Sequence, residues 1–284
     1  MKLKDIYIRD PFILVEGGKY YMYGSTDPQT WKGKADGFKA YVSDDLENFE
    51  EHVVFENTDD FWGEEQFWAP EVHKYEGKYY LFAAFSKGDG VRRCQLLRAD
   101  NPLGPFVPYG GLLFPNETSN LDATFFSENG KRYTVYCREW TDIKDGEMRL
   151  AELDENLRVK GEIKTLFKAS DAPWTAEVEE GCFVTDGPFI RKNSRGEYVM
   201  LWSSHGKEGY AMGMAIAKSL DGEWKHIEKP LVSDNGGHGM IFEKDGRLFV
   251  TYHMPNEPHM SERAHIEEIE EADGIFRLKR GSKK

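Results

Sequence analysis

Cysteine is scarce in this chain, with three in 284 residues: Cys94, Cys137 and Cys182. They lie far apart, match no metal-ligand spacing, and suit a reducing compartment better than a disulfide framework. No apolar stretch is long enough to span a bilayer. The opening MKLKDIYIRDP lacks the apolar segment and small-residue cleavage site of a secretory signal. Taken literally, it predicts a cytoplasmic protein, in which the sequon at Asn116 has no use. Positive charge is also short, with 37 Lys and Arg against 50 Asp and Glu, a net charge of −13 and no basic stripe. Nucleic acid and anionic membrane are therefore excluded as expected partners. Amphipathic helical periodicity is almost absent, and EEIEEADG (267–274) is too short and too acidic for a core helix. No serine sits in a nucleophile elbow, and the glycine-rich NGGHG and DGEW follow no βαβ pattern that could cradle phosphate.

Aromatic residues, by contrast, make up 14% of the chain, with seven Trp and fourteen Tyr. Core packing accounts for most of them, and the excess is compatible with aromatic walls around a sugar. Their placement is periodic. GKYYMY, GKYYLF, GKRYTVY, GEYVMLW and GRLFVTY each carry a turn glycine, at 18, 77, 130, 196 and 246, leading into a strand-like run. Ahead of them stand PFILVEG, PEVHKYEG, ATFFSENG, PFIRKNSRG and GMIFEKDG, which complete five hairpins. Each is followed by an alternating strand, a polar turn and an apolar residue, so every unit holds about four strands. The reading is an all-β fold, a five-bladed β-propeller in one domain spanning 1–284. Its approximate blades are 1–60, 61–113, 114–173, 174–232 and 233–284.

In a propeller the first strand of each blade lines the axis. The residues just before the proline-equivalent positions are Asp10, Ala69, Asp122, Gly187 (with Asp186 ahead of it) and His238. Each acid alone reads as a turn or strand-start residue. Gathered at one mouth they must shift one another's pKa values. Such a cluster suits glycoside hydrolysis, in which a protonated carboxyl serves the leaving oxygen and an ionised one activates water or attacks the sugar. Phe12, Phe125 and Phe189, near the three acids in sequence, are expected to supply apolar surroundings. His253, His259 and His265 recur every six residues, fit no zinc pattern, and are read as loop histidines.

From RDPFI to HGMIF the chain resembles the family 43 glycoside hydrolases, five-bladed propellers that remove arabinose, xylose or related sugars from plant polysaccharides. The resemblance implies that Asp10 of RDPFI is the general base and that Asp122 of NLDATF tunes and orients the acid. The acid itself, usually Glu in a Glu-Gly-Pro motif, falls on Asp186 of TDGPFI. That departure implies a blade closer to the sugar, an intruding Glu177, Glu179 or Glu180, or weak activity. His238 matches a blade-five histidine that contacts calcium or water, so calcium is the one metal implied, and no organic cofactor is. Trp68 of WAPEV resembles a wall of the sugar site, and Arg263 an arginine that contacts the bound sugar. The family inverts, which implies carboxyl groups roughly 6.5–9.5 Å apart. The implied partner is an oligosaccharide, with the oligomeric state left open. The leading expectation is an exo-acting, inverting α-L-arabinofuranosidase. A β-xylosidase or endo-arabinanase is the alternative within the family, and a non-catalytic sugar-binding propeller the alternative outside enzymes. A retaining fructan-cleaving propeller ranks low, because its extended motifs are missing.

Overall fold

The structure is a computed structural model that describes residues 1–279. Twenty strands form five antiparallel four-stranded sheets, each made of consecutive strands. Blade one holds β1–β4 (Arg9–Glu16, Lys19–Ser25, Gly37–Ser43, Glu50–Glu56). Blade two holds β5–β8 (Glu65–Tyr75, Lys78–Ser86, Arg93–Ala99, Val107–Leu112), and blade three β9–β12 (Asn120–Glu128, Lys131–Arg138, Glu147–Leu153, Val159–Lys168). Blade four holds β13–β16 (Asp186–Lys192, Tyr198–Gly206, Gly209–Ala217, Lys225–His226), and blade five β17–β20 (Gly237–Lys244, Arg247–Met254, Arg263–Ala272, Ile275–Leu278). The expected five-bladed β-propeller is what the chain forms. The last residues of the expected fifth blade, 280–284, lie outside the described residues.

The second strand of each blade is covered by neighbouring blades on both faces, so it must be apolar almost throughout. In β6 every residue after the first is buried, whereas the outermost β8 has none fully buried. That contrast explains why the aromatic runs after the turn glycines betray the repeat. The core is a set of apolar layers between adjacent blades. One joins blades one and two around Phe38, Phe67 and Phe85, and another joins blades three and four around Trp174, Trp202 and Trp224.

Among the described residues no strand is shared between the first and last blades, and the ring is closed by apolar packing, as of Tyr20 on Phe242, and by polar contacts around Arg9. Its guanidinium donates to Glu262 Oε1 at 2.6 Å, to the Asn256 carbonyl at 3.1 Å and to Asn256 Oδ1 at 2.8 Å. Glu262 is fully buried. A buried pair of this kind holds two elements in register, and loss of one partner strands the other charge.

The innermost strands share one irregularity. Asp10, Ala69, Asp122, Gly187 and His238 all have left-handed φ, between 46° and 55°. A register shift falls at each of these places in the pairing of the first and second strands. Each blade therefore begins with a bulge, whose left-handed residue is taken most easily by Gly, Asn, Asp or His. Four of the five blades obey that preference, and Ala69 is the exception.

Candidate functional site

The five bulges build two rings at one mouth of the channel. Asp10, Asp122 and His238 occupy bulge positions, while Arg9, Trp68, Leu121 and Asp186 precede them. All seven line one cavity of about 470 Å³. In blade four the bulge residue is Gly187 and the acid stands one place earlier. A Cβ on Gly187 would lie 2.5 Å from His238 Cδ2, so the histidine ring fills the space that a side chain there would need.

Side chains lace four of the five bulges to the preceding blade. Ser25 Oγ donates to Asp10 Oδ2 at 2.7 Å and accepts the Ala69 N–H at 2.8 Å. Ser203 Oγ accepts the His238 N–H at 2.8 Å, and Asp122 Oδ2 accepts the Gly187 N–H at 2.9 Å. The Asp10 N–H donates to His253 Nδ1 at 3.1 Å, leaving that ring's Nε2–H to face Asn256 Oδ1 at 3.0 Å. His253 is thus a neutral imidazole of defined tautomer, and burial pushes it down to about 3. It lies on β18 and is fully buried, not in a loop. His265 is likewise on a strand, β19, and only His259 of the three lies in a loop.

The carboxyl groups fall into different electrostatic settings. Burial alone would raise Asp10, but His238, the Arg9 guanidinium and the Ser25 hydroxyl hold it below its ordinary value. His238 Nδ1 is 3.1 Å from Asp10 Oδ1 and 3.8 Å from Asp122 Oδ2. Burial would lower the histidine, yet Asp10, Asp122, Asp186 and Glu71 raise it. Asp186 is pushed up by burial and by Asp10, against the restraint of His238 and a 3.0 Å hydrogen bond donated by Tyr210. Asp122 is pushed well up by burial, with Asp186 and Asp10 adding to it. Asp10 and Asp186 are half-buried where they meet the cavity, whereas Asp122, which also lines it, is buried. A small molecule in the cavity therefore meets an ionised carboxylate and a carboxyl inclined to keep its proton. That pairing supports general acid–base chemistry.

The cavity walls are aromatic. Trp68 and the half-exposed Trp31 meet edge to face at 5.4 Å, and Trp68 Nε1–H donates to the Thr30 carbonyl at 2.6 Å. The Arg9 guanidinium sits 4.9 Å from the Trp31 ring and that of Arg92 5.5 Å from Trp68. Arg92 forks onto the buried Glu139, whose Oε2 also accepts from Ser119 Oγ at 2.6 Å. Trp140, Val178, Val184 and His205 complete the lining.

The structure brings Asp10, Asp122, Asp186, His238 and Trp68 together and leaves four expected residues elsewhere. Phe12 is packed in the layer between blades one and two, its ring 5.0 Å from that of His73, because the bulge breaks the alternation that would have carried it to the cavity. Phe125 and Phe189 are also absent from the lining. Arg263 donates to the carbonyls of Lys4, Met260 and Glu262 and lies outside the cavity. Glu177, Glu179 and Glu180 are exposed and do not intrude, and from that segment Val178 reaches the site. Arg9, Trp31, Arg92, Glu139 and Tyr210 escaped the sequence reading, which took His253 for a loop histidine. Arg9 alone carried a signal, as the blade-one counterpart of Trp68 and Asp186.

Calcium typically takes about six to eight oxygen ligands. Here His238 Nδ1 lies 3.1 Å from Asp10 Oδ1, and no group of three or more His, Cys, Asp or Glu among the described residues could hold a metal ion. These residues do not fit a directly held calcium.

The description glycosyl hydrolases family 43 matches residues 5–276. A solved endo-arabinase from Bacteroides thetaiotaomicron superposes with a TM-score of 0.87 at 36% identity, over 96% of this chain and 98% of that one. A xylosidase/arabinosidase of Thermoclostridium stercorarium is 26% identical over 87% of this chain and 58% of its own. An extracellular exo-α-(1→5)-L-arabinofuranosidase of Streptomyces chartreusis is 25% identical over 66% of this chain and 62% of its own. The chain spans about half the length of the curated relatives it matches.

Proposed function

Because that match runs nearly its whole length, the chain belongs to glycosyl hydrolases family 43, and we propose that it cleaves terminal α-L-arabinofuranose from plant-type oligosaccharides with inversion. Family membership implies an oligosaccharide substrate. The observation that carries the reading is the unlike pair of carboxyl groups on one cavity. Asp10 is held ionised by His238 and Arg9, and Asp186 is pushed toward its protonated form. Asp10 takes a proton from water as the water attacks the anomeric carbon. Asp186 gives its proton to the departing glycosidic oxygen, and Asp122, on the same cavity, tunes and orients that acid. Trp31 and Trp68 offer flat apolar faces to the sugar.

The cavity volume lies within the range of small-ligand pockets, which supports a substrate held by one end. Internal cleavage of arabinan is the second reading, favoured by the 36% identity to the Bacteroides endo-arabinase. Aryl α-L-arabinofuranoside, aryl β-xyloside and linear arabinan, assayed side by side with product anomer followed by NMR, separate these activities. Asp10→Asn and Asp186→Asn should each lower kcat by roughly 10²–10⁴. Full activity of Asp10→Asn would end the base assignment. Tight glycan binding by the wild type with no turnover would make the chain a sugar-binding propeller.

A further inference from the structure

The Tyr210 ring lies fully within the protein beside both catalytic candidates. It stacks on the neutral His253 ring at 5.6 Å with an interplanar angle of 19°, and its hydroxyl is 3.0 Å from Asp186 Oδ2. The blade-five residue ahead of the bulge is Gly237, where a Cβ would stand 2.8 Å from the Tyr210 ring. A glycine therefore makes room for this tyrosine, and the His253 ring that bonds the Asp10 amide holds it flat.

We propose that Tyr210 is a positioning residue that fixes the proton of the general acid on one oxygen of Asp186. This rests on the assignment of Asp186 as that acid. Asp186 is the one hydrogen-bond partner recorded for the hydroxyl among the described residues, so a buried Tyr210 O–H would be stranded if it did not donate there. Because Oδ2 is engaged as an acceptor, the acid's own proton sits on Oδ1. When that proton passes to the leaving oxygen, Asp186 becomes a carboxylate and Tyr210 keeps its hydrogen, bonded to the new negative charge. A hydrogen bond to the ionised form strengthens with the charge, so Tyr210 favours proton release at the moment of bond cleavage. An aspartate is one methylene shorter than the glutamate expected at this place, and a fixed donor behind it compensates by removing rotational freedom of the carboxyl.

The groups facing this pair are Asp10, Asp122, His205, His238 and Arg9, all of which remain in the test variants. Tyr210→Phe keeps the stacked ring and removes only the donor. The basic limb of kcat/KM should move upward by about one unit, since the carboxylate form loses a charge-assisted bond. Rates should fall roughly tenfold for saccharide leaving groups and little for a dinitrophenyl glycoside that needs no proton. Equal losses on both substrates, with the limb unmoved, would show a merely structural role and overturn the proposal. If that variant does not fold, Tyr210→3-fluorotyrosine, with a more acidic hydroxyl, must move the limb downward, and an unmoved limb is equally fatal. Asp186→Asn assayed on the saccharide substrate separates the two readings. An unimpaired rate there removes Asp186 as the acid, whereas an impaired rate with the Tyr210 limb fixed removes only the role of Tyr210.

Discussion

Gly187→Ala is the sharpest test of how the bulges build the site. The native φ is 51°, and a left-handed backbone strains alanine by about 1–2 kcal/mol. The new Cβ would also stand 2.5 Å from His238 Cδ2 and 2.8 Å from Nε2, and overpacking of this kind adds about 1–3 kcal/mol. The ring cannot slide freely, because the His238 amide is tied to Ser203 Oγ and the residue is buried. Together these terms predict a loss of about 2–5 kcal/mol, or a fall in Tm of roughly 3–8 °C for a chain of this size. The displaced His238 ring would leave Asp10, which is now held down by it, freer to rise, so the acidic limb of kcat/KM should move upward. Misplacement on this scale should reduce kcat by roughly 10². Gly130→Ala is the control, at φ 73° in a hairpin turn with nothing within 4 Å of the new Cβ. It should show the strain alone, with normal kinetics. Calorimetry and pH–rate profiles of both variants are the assay. A Gly187→Ala protein that melts with its Gly130→Ala counterpart and keeps the wild-type acidic limb would refute the reasoning.

Other consequences follow from the buried polar contacts. Arg9→Met strands the fully buried Glu262 and should destabilise the ring by about 3–5 kcal/mol, while Arg9→Met with Glu262→Leu should regain most of that in urea unfolding. Acidification should weaken the fold first through His253, whose folded value of about 3 lies below the ordinary 6.5. The unfolded chain binds that proton first, so stability present at neutral pH is lost as pH falls from about 6.5 toward 3, by a few kcal/mol in order of magnitude. His253→Gln should flatten the urea midpoint across that window. An unchanged slope would mean that the ring is not held neutral. His238, raised by the carboxylates, acts in the opposite sense, contributing below 6.5 and losing its contribution as pH rises through its folded value.

How much of this was visible beforehand depended on which force selected the residue. The hairpins were legible because second strands enclosed on both faces admit only apolar side chains, as in β6. The ring positions were legible because a left-handed bulge favours Asp, Gly and His, and those residues recur at 10, 122, 187 and 238. Phe12 was misplaced because proximity to Asp10 in sequence says nothing about side-chain direction once a bulge interrupts the pleat. Arg263 was misplaced because a long flexible side chain goes wherever acceptors wait, here the carbonyls of Lys4, Met260 and Glu262. Tyr210 and His253 stand in strands whose local pattern is that of ordinary core.

The order of residues alone specifies five repeated hairpins, the residues able to sit at each bulge, and hence a ring of acids. Only the tertiary structure decided which acid carries charge. Asp10 and Asp186 are the same residue type, and what separates them is a histidine at 3.1 Å from blade five, an arginine at the closure and a tyrosine hydroxyl at 3.0 Å. Those neighbours come from distant parts of the chain, and charge is set by what is near in space.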